Sequence, residues 1–88
     1  MHMKIRYSKK ALKFLSKQEK STVIRIRAAI EKLTLVPPEG DIKEMRGFDD
    51  GRKRLRVGSF RIIYNYTAEG GVAILLVMEI GSRGDIYK

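Results

Sequence analysis

Apolar residues follow two different periods in the first part of the chain. From position 3 to 7 they alternate with basic residues (MKIRY), and this period of two predicts a half-buried β-strand. Ser8 is a suitable helix N-cap, and the helix after it has an apolar face made of Ala11, Leu12 and Leu15. After a break near 17–20, a second helical pattern ends before two prolines; its apolar positions are Val23, Ile26, Ile30 and Leu33. The sequence therefore predicts one strand and then a hairpin of two short helices.

The rest of the chain has the pattern of antiparallel strands. Residues 52–57 and 60–66 flank a two-residue Gly-Ser turn, which predicts a β-hairpin. A Gly-Gly pair marks the next turn, and 72–80 is apolar at nearly every position, as in a central strand covered on both faces. We therefore predict an α+β fold in the order β-α-α-β-β-β, with the helical hairpin on one face of the sheet. It forms one domain over residues 1–88, in which residues 1 and 2 are interpreted as a start-site or cloning remnant.

The composition restricts the function more than the fold. The 88 residues include 19 Lys and Arg against 10 Asp and Glu, a net charge of +9. This excess predicts an acidic partner such as nucleic acid, a membrane surface or an acidic protein segment, unless the charge serves only solubility. There is no cysteine and the one histidine is His2, so no disulfide framework and no Cys or His metal site is expected. The longest apolar run, 72–78, is too short for a membrane helix, and no signal peptide opens the chain. We expect a cytoplasmic protein without a metal or cofactor.

Arginines are concentrated in the predicted hairpin. Every second residue of its first strand is an arginine: Arg52, Arg54 and Arg56. Because side chains alternate across a strand, these three share one face, and Arg61 on the partner strand would lie beside one of them. Guanidinium groups bind phosphate bidentately, and without a glycine-rich phosphate loop the better-matched ligand is a polynucleotide backbone rather than a nucleotide. The candidate phosphate-binding residues are Arg46, Arg52, Lys53, Arg54 and Arg56.

Four segments, taken in their order and spacing, resemble a known family. They are 45–47 (MRG), 52–56 (RKRLR), 58–64 (GSFRIIY) and 79–87 (EIGSRGDIY). Together they resemble the RelE/ParE toxin superfamily of type II toxin-antitoxin systems, and the RelE-like branch most closely. The resemblance covers nearly the whole chain and implies the small RelE-like fold. It also implies a toxin that, when freed from an acidic or amphipathic segment of its antitoxin, enters the ribosomal A site. There it would contact the 16S and 23S rRNA surface and cut mRNA without metal or cofactor.

The resemblance further implies the reaction and the residues that carry it. In an mRNA interferase, a ribose 2′-OH attacks the adjacent phosphate, leaving a 2′,3′-cyclic phosphate and a 5′-OH. Arg61 resembles the family's phosphate-stabilising arginine, Arg83 the arginine after the last long strand, and Tyr87 the tyrosine that stacks on or acts at the scissile nucleotide. Arg52 and Arg54 stand where RelE-like enzymes tend to have lysines. Since arginine is effectively always protonated, these two can bind phosphate but are poor general bases.

A carboxylate is therefore the remaining candidate for the general base. Glu79 and Asp85 are nearest in sequence to Arg83 and Tyr87, and some RelE-like toxins use a carboxylate base, which makes Glu79 a candidate catalytic residue. The competing interpretation, which we favour, is that Glu79 forms a structural ion pair with one of the arginines. Catalysis could also rest on charge stabilisation and on positioning of the mRNA by the ribosome.

Two other functions compete with the nuclease. A ParE-like toxin would poison DNA gyrase and cut no RNA, but ParE-like members lack the combined basic and tyrosine set. A non-catalytic RNA-binding module would expose stacking aromatics, whereas the alternation places Tyr64 and Tyr66 in the core. For Arg46, the alternative to an RNA contact is a salt bridge to Asp49 or Asp50.

Overall fold

A computed structural model of the chain describes residues 3–82. Its elements, in chain order, are β1 (Lys4–Tyr7), α1 (Lys9–Ser16), α2 (Lys20–Glu31), a 3-10 turn (Lys32–Thr34), β2 (Asp41–Glu44), β3 (Lys53–Val57), β4 (Phe60–Glu69) and β5 (Val72–Ser82). The strands form one sheet in the order β1-β5-β4-β3-β2. The pair β1 and β5 is parallel and the other pairs are antiparallel, so the sheet is mixed. The α+β prediction is confirmed, with one strand, β2, added to the predicted order.

The junction between β1 and α1 is fixed by Ser8, as its N-cap chemistry predicts. The Ser8 side-chain oxygen accepts a hydrogen bond from the Ala11 amide at 3.0 Å and donates one to the Met78 carbonyl at 2.7 Å. The Ser8 amide donates to the Val77 carbonyl at 2.9 Å. One side chain therefore starts the helix and ties it to β5.

The core lies between the two helices and one face of the sheet. Ile26, Ile30 and Leu33 are fully buried, as predicted, and pack with Leu55 and Ile62 of the hairpin. Leu12 differs from its prediction: it is 53% exposed, because α1 is short and only Ala11 and Leu15 face the sheet. Among the described residues the helices cover one face of β5, which is an inner strand of the sheet, and Ile74 on the other face is also buried.

A β-bulge interrupts the pairing of β4 with β5. Ile63 is opposite Glu79, but the next residue, Tyr64, is opposite Val77, so Met78 is an extra residue in β5. Strict alternation from the buried Val77 would place Glu79 on the helix-covered face. The extra residue reverses this alternation and puts Glu79 on the same face as Ile63 and its neighbour Arg54.

Candidate functional site

Three arginines of β3 and β4 lie together on the face of the sheet opposite the helices. In the β3–β4 register, Arg56 is directly opposite Arg61, and Arg54 is opposite Ile63. Paired residues on antiparallel strands point to the same side, whereas Leu55 and Ile62 between them belong to the core. The prediction that Arg61 lies beside Arg54 or Arg56 is therefore confirmed. We call Arg54, Arg56 and Arg61 the arginine face.

Two of these arginines are buried on the side of the sheet opposite the described helices. Arg54 is 8% exposed and Arg61 is 7% exposed, whereas Arg56 is an exposed residue. At the hairpin turn, Arg56 and Arg61 line a pocket of about 270 Å³ together with Gly58 and Ser59. Gly58 has a φ of 59°, a conformation that favours glycine, and the turn it permits sets Arg56 opposite Arg61.

Asp41, which was not singled out from the sequence, lies beside these arginines. Asp41 begins β2 and is opposite Arg56. Its Oδ2 accepts a hydrogen bond from Arg56 Nε at 3.1 Å, and its Oδ1 lies 3.6 Å from a terminal guanidinium nitrogen of Arg54. The strand containing Asp41 is only four residues long, so its alternation gave no clear signal in the sequence.

Arg52 lies just before β3 and is held by a neighbouring carboxylate. It precedes β3, and its guanidinium donates to both carboxylate oxygens of Asp50 at 2.7 to 3.1 Å and lies 4.1 Å from the centre of the Phe48 ring. The hydrogen bond from Arg52 lowers the pKa of the Asp50 carboxyl, and the same contact raises the pKa of Arg52.

Lys53 and Arg46 are the other two candidate phosphate ligands. Lys53 is on the side of Leu55, as predicted, and its ammonium group donates to the Gly51 carbonyl at 3.1 Å. Arg46 is exposed in the loop between β2 and β3. Within residues 3–82 it forms no ion pair with Asp49 or Asp50, because Asp50 binds Arg52.

Glu79 forms an ion pair with a lysine among the described residues. Its Oε1 lies 2.8 Å from the ammonium nitrogen of Lys10 in the first turn of α1. The favoured interpretation, an ion pair, is therefore observed with Lys10, and a pair with Arg83 lies outside the described residues. The unfavourable position of a lysine at a helix N-terminus was the available signal, since a nearby carboxylate offsets the repulsion from the helix dipole.

Two of the tyrosines considered above lie in the core, and Tyr87 lies outside the described residues. Tyr64 is fully buried, and the Tyr66 hydroxyl donates to the Leu33 carbonyl at 2.8 Å, so both are core residues as predicted. Burial, with a smaller contribution from nearby Tyr66, raises the pKa of Tyr64. Arg83, Asp85 and Tyr87 lie outside the described residues, and their roles stay predictions.

The sequence matches one protein-family model over residues 5–87, nearly its full length: "ParE toxin of type II toxin-antitoxin system, parDE". The chain belongs to this toxin family. No curated protein matches the toxin at a significant level. None of its helices within residues 3–82 is long and apolar enough to cross a membrane.

Solved structures of RelE toxins have the same fold as this toxin. The RelE-RelB complex from Pyrococcus horikoshii is 24% identical with a TM-score of 0.71, over 97% of this chain and 99% of that one. The RelB-RelE complex from Methanococcus jannaschii is also 24% identical, with a TM-score of 0.69 over 93% and 94% of the two chains. The RelBE2 complex from Mycobacterium tuberculosis is 18% identical, with a TM-score of 0.72 over 94% and 100%. The predicted superfamily and the RelE-like fold are confirmed.

Proposed function

We propose that this toxin is a metal-independent endoribonuclease that cuts mRNA in the ribosomal A site and so inhibits translation. The observation that carries the proposal is the arginine face, where Arg54 and Arg61 are held more than nine-tenths buried on the side of the sheet opposite the described helices. The Arg54 guanidinium has a carboxylate partner at 3.6 Å among the described residues and gains from an anion that comes closer, so this arrangement suits a ligand that brings negative charge. RNA brings that charge as a row of phosphates.

The reaction would be a transesterification within the RNA chain. The 2′-oxygen attacks the adjacent phosphorus, the bond from phosphorus to the 5′-oxygen of the next nucleotide breaks, and the leaving oxygen takes a proton. The arginine face, with Arg61 nearest the reacting phosphate, would stabilise the charge that builds up on the phosphoryl oxygens. Arg83 and Tyr87 would complete the site, in the roles that the family resemblance implies.

The proton of the attacking 2′-OH needs an acceptor. Glu79 is the candidate, because the bulge in β5 turns it to the side of the sheet that carries Arg54. Its contact with Lys10 has to be given up or shared for this role. If Glu79 stays paired with Lys10, the rate of mRNA cleavage depends on charge stabilisation and on the position of the mRNA in the ribosome.

The partners proposed for this toxin are an antitoxin and ribosomal RNA. The three similar structures are of RelE toxins bound to antitoxins, and the net charge of +9 suits an acidic or amphipathic antitoxin segment. Lysines on the outer surface of α1, such as Lys9, Lys13 and Lys17, would make looser contacts with 16S and 23S rRNA. The proposed site of action is the cytoplasm.

One observation supports a second candidate function. The matching family model is that of ParE toxins, so a gyrase-poisoning toxin that cuts no RNA is the alternative. The cluster of Arg54, Arg56 and Arg61 suits a phosphate ligand, which is why we favour the nuclease. A non-catalytic RNA-binding module has less support, because Tyr64 is enclosed in the core.

Induced expression without an antitoxin separates these functions. The nuclease predicts growth arrest and, in primer extension on translated messages, cuts within codons. Arrest with intact mRNA and double-strand DNA breaks would establish the gyrase poison instead. Arg61→Ala should abolish the cuts, whereas Arg6→Ala, which removes an exposed arginine of β1 that binds Glu69, should leave them unchanged.

A further inference from the structure

We propose that Asp41 competes with substrate phosphate for Arg54 and Arg56, and thereby sets the affinity of the arginine face for polyanions. The proposal rests on the proposed function in one respect, that the natural polyanion is RNA. It assigns a role to Asp41, which lies beside the arginine face and, as an anion, cannot bind phosphate itself. Asp41 carries the charge of a phosphate monoanion and already occupies an anion position on this face.

The first step of the argument is the bridging geometry of Asp41. Its two carboxylate oxygens contact two different arginines: Oδ2 accepts from Arg56 Nε at 3.1 Å, and Oδ1 lies 3.6 Å from Arg54. Arg54 and Arg56 are two positions apart on one strand and point to the same side. A phosphate on the RNA backbone also presents two oxygens, so Asp41 and a phosphate would use the same donors.

The second step is that Asp41 satisfies Arg54 poorly. The Arg54 side chain is 10% exposed, and its Nε is buried without an acceptor in the part of the chain that the structure describes. The separation of 3.6 Å from Asp41 is too long for a hydrogen bond. A buried guanidinium with one distant counter-ion gains from any anion that comes closer and accepts more of its hydrogens.

The third step is that Asp41 can be displaced without unfolding the strand. Its side chain is 48% exposed, and β2 is the edge strand of the sheet. The backbone is held separately, since Gly40 packs so closely on Leu55 that an added Cβ would lie 2.6 Å from the Leu55 Cδ1 atom. Rotation about the side-chain bonds of Asp41 would therefore release both arginines while β2 stays in place.

The test is the variant Asp41→Asn, which keeps the size of the side chain and removes its charge. The probe is a short oligoribonucleotide with 2′-O-methyl groups, which cannot be cut, and binding is followed by fluorescence anisotropy at fixed salt. The matched control is Glu69→Gln, which removes one carboxylate from an exposed ion pair with Arg6 in another part of the same sheet. We expect Asp41→Asn to bind about three- to tenfold more tightly than the unaltered toxin, as loss of two partly exposed contacts implies. Glu69→Gln should change binding by less than about twofold.

Two further measurements keep the test specific. The gain should disappear when Asp41→Asn is combined with Arg54→Met and Arg56→Met, because the competition acts through those side chains. Asp41→Ser provides a second variant with the same expectation, and thermal unfolding checks that each variant is folded. Weaker binding by both folded Asp41 variants, or a gain no larger than that of Glu69→Gln, would overturn the proposal and make Asp41 a residue that positions the arginines.

Inorganic pyrophosphate distinguishes this inference from the proposed nuclease. Its binding is measured by the rise in melting temperature that it causes. If Asp41→Asn strengthens pyrophosphate binding while the unaltered toxin neither binds nor cuts RNA, the competition stands and RNA is the wrong polyanion. If RNA is cut but Asp41→Asn changes neither ligand's affinity, the nuclease stands and the role of Asp41 is refuted.

Discussion

Replacement of Arg54 by methionine should make the toxin more stable and remove its activity. Arg54 is 8% exposed, its Nε has no acceptor within the described residues, and its one ionic contact is a distant carboxylate. Relief of a buried, unsatisfied donor is worth about 1 to 3 kcal/mol. Loss of the contact with Asp41, which keeps its hydrogen bond to Arg56, costs about 0 to 1 kcal/mol. The methionine fills much of the same volume, so a net gain of about 1 kcal/mol is expected.

Urea denaturation measures this gain directly. For a domain of this size, 1 kcal/mol corresponds to a rise of about 4 to 8 °C in melting temperature. RNA binding and growth arrest should both be lost in Arg54→Met. The matched variant Arg56→Met removes an exposed arginine from the same strand and should change stability by less than about 0.5 kcal/mol. A loss of about 1 kcal/mol or more in Arg54→Met would show that Arg54 is a structural residue, and full toxicity would remove it from the site.

Two other substitutions test the surroundings of the arginine face. Glu79→Gln should lower stability by less than about 1 kcal/mol, because its pair with Lys10 is partly exposed to solvent, and should leave mRNA cleavage within about threefold; a loss of a hundredfold or more would identify Glu79 as the base. Tyr64→Phe should raise stability near neutral pH by about 1 kcal/mol, because the buried hydroxyl has no hydrogen-bond partner within residues 3–82. Since burial raises the pKa of Tyr64 above its ordinary value of 10.0, the neutral form stabilises the fold below pH 10, and that stability is lost as pH rises further. Urea denaturation on both sides of pH 10 should show a smaller alkaline loss for Tyr64→Phe, and an equal loss would contradict this.

Side-chain alternation predicted most of the fold and the arginine face. The hairpin has the expected register because each of its strands places apolar residues on one side and arginines on the other, as Leu55 and Arg54 do. Leu12 was predicted less well, since α1 is too short to bury a wide apolar face. A strand as short as β2 has too few residues for a clear period.

Contacts between residues distant in sequence could not be predicted from local pattern. Asp41 reaches Arg54 and Arg56 only because β2 pairs with β3, and Lys10 reaches Glu79 only because α1 starts beside β5. From the sequence, Asp50 was considered as a partner of Arg46. The observed partner of Asp50 is Arg52, which is only two residues away in the chain. The spacing of apolar residues predicts one helix or strand at a time, whereas these ion pairs depend on which helices and strands become neighbours in the fold.

The bulge at Met78 couples the sheet to the start of α1. Deletion of this one residue would place Glu79 directly after Val77, so regular alternation would still put Glu79 on the arginine side and Ile80 in the core. The Ser8 hydroxyl, however, would lose the Met78 carbonyl to which it donates, and the start of α1 would lose its tie to β5. The extra residue therefore matters more to the junction between strand and helix than to the two faces of the sheet.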